Sequence, residues 1–153
     1  MKILLGMVAL IASVLVAGLT GLTFLVWPTG LHDQQLAITP EVIQRLRDLQ
    51  AEQKFGPDIA AFYPGARNEE QRAAAQKAVD TTIRSLIAEL PEQPKRSTVL
   101  RTMKETLTHF DTSESEERDQ ILVYLTKVMD ICGVESSGEL FNVWRYGFPY
   151  GWF

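Results

Sequence analysis

The sequence has one cysteine and two histidines in 153 residues, and that scarcity removes several function classes at once. Cys132 has no partner for an internal disulfide, and its place on an apolar helix face reads as a small core hydrophobe. Neither His32 nor His109 has a second histidine, a cysteine or a carboxylate three or four residues on, so no metal site and no cofactor is expected. A glycine-rich phosphate loop, a Gly-x-Ser-x-Gly elbow and a dinucleotide fingerprint are all missing. Basic residues are also in short supply. Beyond Lys2 the chain carries 14 Lys+Arg against 19 Asp+Glu, a formal charge of −5. No basic face is left to release counterions from phosphates, which excludes nucleic acid as the main partner. Alternating strand patterns, internal repeats and low-complexity tracts are absent, so the expected fold class is all-α.

Charge is missing altogether from Ile3 to Trp27, where Ser13, Thr20 and Thr23 are the only polar interruptions. These 25 residues would rise about 37 Å as a helix, more than the roughly 30 Å hydrocarbon core of a bilayer. Residues 1–27 are therefore expected to form a transmembrane signal-anchor helix, with the membrane as a partner through residues 3–27. The competing reading is a cleavable secretory signal ending at Val16-Ala17-Gly18, which would release the protein to the periplasm but leave a greasy new terminus. Lys2 precedes the span and no Lys or Arg follows until Arg45. That asymmetry orients the domain toward the periplasmic or outer face of a bacterial inner membrane. Ala9, Ser13, Ala17 and Gly21 recur every fourth residue, a stripe that would let two such helices approach as a homodimer, although apolar targeting helices are commonly rich in small residues.

Residues 28–38 read as a linker, with His32 and Asp33 in a polar joint, and residues 39–153 as one helical domain. Thr39, Pro40 and Glu41 open a helix that runs to about Lys54 and stops at Gly56-Pro57. In the connector 57–67, Ile59, Phe62 and Tyr63 are expected to tuck under the bundle. Asn68 with Gln71 opens the next helix, which Leu90-Pro91 closes. Val99, Leu100, Met103, Leu107 and Phe110 mark a third, with Lys95, Arg96, Arg101 and Lys104 on or near its solvent side. Ser113 and Glu116 read as a capping box opening a helix over about 114–132 that ends at Gly133. Its polar arc is narrow (Glu116, Asp119, Gln120, Thr126, Lys127 and Asp130), so the other two thirds must be surrounded by neighbours. Ser136 and Glu139 read as a second capping box before a short helix that Gly147 closes. The whole is a bundle of four helices with a short C-terminal helix and an aromatic tail.

Candidate sites are few. Six of the chain's 14 aromatic residues fall in its last ten positions: Trp144, Tyr146, Phe148, Tyr150, Trp152 and Phe153. Such rings suit either a cover over an open side of the bundle or a docking surface for a protein or the membrane interface. Glu135-Ser136 resembles the Glu-Ser step of lytic transglycosylases, which implies an envelope glycan hydrolase with Glu135 as its acid; here the chain continues Gly138-Glu139-Leu140-Phe141 and lacks that family's downstream motifs. Acidic residues Glu114, Glu116, Glu117 and Asp119 find a sufficient reason in the helix N-terminus that they occupy. The run FDTSESEERDQILVYLTKVMDICGVESSGELFNVWRYGF resembles the C-terminal block of a family of small bacterial proteins catalogued only as a domain of unknown function. That resemblance implies an all-helical domain and lends no active site. The expectation is a membrane-tethered, non-catalytic, helical protein-interaction module of the bacterial envelope, of inhibitor or immunity type by analogy. The alternatives are the Glu135 hydrolase and an accessory subunit of a membrane complex.

Overall fold

The structure, a computed structural model, describes residues 2–26, 33–59 and 62–147, with the side chains of the first helix described for residues 6–20. It is all-α. In chain order come α1 (Lys2–Val26), α2 (Pro40–Ala51), α3 (Glu69–Glu89), α4 (Arg96–Leu107) with a 3-10 turn at Thr108–Phe110, α5 (Ser115–Cys132) and α6 (Leu140–Tyr146). Strand-type pairing among the described residues is limited to two isolated antiparallel bridges, Gln35 with Lys95 and Asp58 with Tyr63. Among the described residues no helix is long and apolar enough to cross a membrane.

Helices α2, α3 and α4 start on a local or a borrowed cap. The Thr39 hydroxyl accepts the Val42 amide at 3.3 Å, Pro40 fills the first turn, and Asn68 Oδ1 accepts the Gln71 amide at 2.8 Å. At the other end of α5, Gly133 takes the left-handed conformation (φ 74°), and the Val134 amide returns to the Met129 carbonyl at 2.9 Å. Both expected capping boxes are absent. Ser113 lies one residue too early, because its amide closes the 3-10 turn onto the Phe110 carbonyl; Glu114 takes the cap position and pairs with Arg67 at 3.1 Å. Ser136 Oγ accepts the Gly138 amide in a local turn, and Glu139, at φ 72°, precedes α6 with no side-chain cap.

The start of α4 is capped from a distance. Asp33 accepts the Ser97 amide at 2.9 Å and the Ser97 hydroxyl at 2.8 Å, while Leu36 donates to the Pro94 carbonyl at 2.7 Å and is buried. Residues 33–36, expected within the linker, thus lie against the α3–α4 loop; His32 lies outside the described residues. Replacing Asp33 by alanine is expected to cost about 1 kcal/mol. It should lower the melting temperature by about 4 °C, and Asn, which keeps the acceptor, should lose less. Equal losses for the two substitutions would mean that capping is not what Asp33 contributes.

The core follows the helical periodicities. Helix α5 packs against α2, α3 and α4, as its narrow polar arc requires, and buries Ile121, Leu125 and Val128 among Leu46, Val79, Ile83, Leu86, Leu100 and Met103. Three positions depart from the pattern. Gln120, expected on the solvent arc, is buried. Helix α2 ends at Ala51, short of Lys54, because the chain turns in to bury Phe55 at φ 59°, whose amide donates to the Tyr124 hydroxyl at 3.1 Å. Of the three connector residues expected to tuck in, Ile59, Phe62 and Tyr63, Tyr63 alone does. Ile59 and Phe62 are 91% and 94% exposed, since the mutual hydrogen bonds of Asp58 and Tyr63 close a loop that carries them outward.

Candidate functional site

Helix α3 carries two stripes. One, Val79, Ile83 and Leu86, enters the core; the other, Ala74, Ala75, Ala78, Thr82 and Ser85, is made of small residues. Against the second stripe α4 and the 3-10 turn set Thr102, Thr106, His109 and Phe110. Small side chains facing small side chains leave a cleft of about 770 Å³, which continues to Glu114 and Glu117 at the start of α5. The threonine hydroxyls at its centre bond within the protein. Thr102 donates to the Thr98 carbonyl at 3.0 Å, and the Thr82 and Thr106 hydroxyls are bonded to each other, so that one of them donates to the other and the second to its own i−4 carbonyl, Ala78 or Thr102, at 2.9 Å.

The other end of the cleft is acidic. Carboxylate oxygens of Glu114, Glu116 and Glu117 lie within 4.8 Å of one another. Glu114 is engaged by Arg67, and Glu116 accepts the Ser115 hydroxyl at 2.9 Å. Glu117 Oε2 is buried and has no hydrogen-bond partner among the described residues, and the same holds for the Tyr63 phenol oxygen. Burial, then the Glu117 carboxylate and Tyr124, push the Tyr63 phenol up to about 12, so the acid and the phenol stand in each other's field. No motif in the sequence announces this cleft. The signal that existed was the second, small-residue period on α3, hidden beside the apolar stripe that shares the helix.

The residues singled out by sequence are scattered. Trp144 is half-buried and held: its indole N–H donates to Asp111 Oδ1 at 2.7 Å, the Arg118 guanidinium lies 4.5 Å from its ring centre, and Arg118 also donates to its carbonyl at 2.7 Å. Tyr146 is 65% exposed beneath Arg145, which Asp119 anchors. Phe148, Tyr150, Trp152 and Phe153 lie outside the described residues. Glu135 is exposed on the segment between α5 and α6 and takes no part in lining the cleft. His109 is exposed on the cleft rim, and Cys132 is buried in the core, as expected of a small hydrophobe.

No curated protein matches the chain. A crystal structure of a DUF3571 family protein from Acinetobacter baumannii superposes with a TM-score of 0.64 at 28% identity, covering 70% of this chain and 89% of that one. The family described as a domain of unknown function, DUF4844, matches residues 37–149, a range that takes in every helix from α2 to α6 together with the cleft. By that match over most of its length, the chain belongs to the DUF4844 family.

Proposed function

We propose that this protein is a membrane-tethered, non-catalytic helical module that holds a protein-interaction domain at the periplasmic face of a bacterial inner membrane. The observation that carries the reading is α1. From Gly6 to Thr20 every side chain is exposed, and all but Ser13 and Thr20 are apolar or glycine. The two hydroxyls are satisfied within the helix, Ser13 by the Ala9 carbonyl at 2.9 Å and Thr20 by the Val16 carbonyl at 2.8 Å. A helix apolar on all sides, with its polar groups closed internally, is suited to lipid and ill suited to water. The uncharged sequence continues to Trp27, and Lys2 with no further Lys or Arg before Arg45 favours a domain on the outer side. The domain contributes contact surface: Tyr146, exposed beside a fixed Trp144, begins the aromatic group. An inhibitor or immunity role is the analogy that best suits a small, acidic domain of this kind.

Fractionation of cells expressing the full chain tests the tether. The expected result is a membrane pellet resistant to alkaline carbonate. It should be released by Val14→Lys together with Leu15→Lys, each of which costs about 2.5–3.5 kcal/mol near the centre of a span. Extraction of the unmutated chain by carbonate, or an intact mass lacking the first residues, overturns the reading.

A further inference from the structure

We propose that α6 is a strap, held shut by charge, which swings open about Gly138 and Glu139 as one unit while the bundle of α2 to α5 stays folded. The chain is fixed up to the hinge: Val134 is buried, and the Arg96 guanidinium holds the Ser136 carbonyl through bonds of 3.2 and 3.0 Å. Gly138 and Glu139 then take the left-handed conformation, at φ 58° and 72°. Glycine adopts it freely, but a glutamate there is strained, and opening releases the strain. Beyond the hinge α6 has Leu140 fully buried and Phe141 and Trp144 half-buried. Two turns are too short to hold as a helix by themselves, and little apolar area fastens them. The bonds that do so are charge-assisted. Arg145 pairs with Asp119 at 2.5 and 3.1 Å, the Trp144 indole donates to Asp111 at 2.7 Å, and Arg118 donates to the Trp144 carbonyl at 2.7 Å. Asp111 is exposed and the Asp119 side chain is 63% exposed, so dissolved ions screen these contacts. Closure also has a cost at Arg118, whose Nε is buried beside the Trp144 ring with no hydrogen-bond partner among the described residues; opening lets water reach it. Leu140, Phe141 and Trp144 share one face of α6, hidden when the strap is shut and presented when it opens. The surface offered to a partner therefore differs between the two states, and opening itself depends neither on the tether nor on a partner.

Hydrogen exchange on the full chain in detergent micelles reads the opening directly. The probes are the Val143 amide, bonded to the Glu139 carbonyl at 2.9 Å, and the Trp144 indole N–H, set against the amide of Leu125, whose side chain is buried in α5. Both α6 probes are expected to share one protection factor, about a hundredfold or more below that of Leu125. Raising NaCl from about 20 to about 500 mM should lower the shared factor about threefold and leave Leu125 unchanged. Asp119→Asn, which removes the charge at an exposed position and keeps the size, should lower it about tenfold, again sparing Leu125. Equal protection of α6 and Leu125, unequal protection of the two α6 probes, indifference to salt, or an equal loss at Leu125 in Asp119→Asn each overturns the strap. The salt series needs no variant and decides the matter if Asp119→Asn does not fold.

Discussion

Replacing Asp80 by alanine is expected to destabilise the fold by about 3 kcal/mol, while replacing its partner Lys54 by methionine should cost less. Lys54 has 0% of its surface exposed. Its ammonium lies 2.8 Å from Asp80 Oδ1, 3.1 Å from the Gln50 carbonyl and 2.9 Å from the Glu52 carbonyl, so one cation closes the C-terminal end of α2 and ties it to α3. Gln50 adds a bond to the Asp80 carbonyl at 3.2 Å, and Gln76 accepts both the Lys54 amide at 3.3 Å and Arg72 at 2.9 Å. Removing the carboxylate strands a positive charge away from water. Removing the lysine leaves an aspartate whose side chain is 19% exposed and so only partly stranded, while methionine keeps the packing of the alkyl stem. Urea unfolding of both variants checks the asymmetry. Equal losses would show that the pair acts as packing and not as a buried charge with its counter-ion.

Raising the pH from about 9 to 12 is expected to remove about 4 kcal/mol of stability through Cys132 alone, at 1.36 kcal/mol per pKa unit. Burial pushes the Cys132 thiol up to about 12 from its ordinary 9, against a smaller opposing influence of Arg45. In the unfolded chain the thiol ionises near its ordinary value. The stabilisation is therefore fully present below pH 9 and is lost as the pH rises toward 12, because only the unfolded state gives up the proton in that window. Tyr63, raised from 10.0 to about 12, acts in the same direction over the upper part of the range. Cys132→Ala should begin somewhat less stable, from the vacated volume, and then lose less than the unmutated protein between pH 9 and 11. Parallel losses in the two proteins would put the alkaline sensitivity elsewhere.

What the sequence made legible was whatever depends on neighbours along the chain. Thr39-Pro40-Glu41, Asn68 with Gln71, Gly133 and Gly147 mark real helix ends because their capping partners lie within a few residues. The two Ser-x-x-Glu boxes show the limit of that locality: the letters match, but a 3-10 turn before one and a glycine turn before the other use the serines differently. Asp33 with Ser97, Lys54 with Asp80, and Phe55 with Tyr124 are separated by dozens of residues, and no periodicity encodes them. Ile59 and Phe62 mislead for a related reason, since apolar character alone does not say which side of a loop faces in. The cleft was half legible: the small-residue period is present on α3, but its meaning depends on the threonines that α4 happens to bring opposite.

The fastening of Asp33 and Leu36 to the α3–α4 loop makes the leash between helix α1 and the globular body very short. Seven peptide steps separate Val26 from Asp33, a reach of about 25 Å at full stretch. On the proposal that α1 sits in a bilayer, that reach limits how far the α4 N-terminus can stand from the lipid surface. On the same proposal, a partner held at the membrane would meet the body at a local concentration set by that reach and not by expression level.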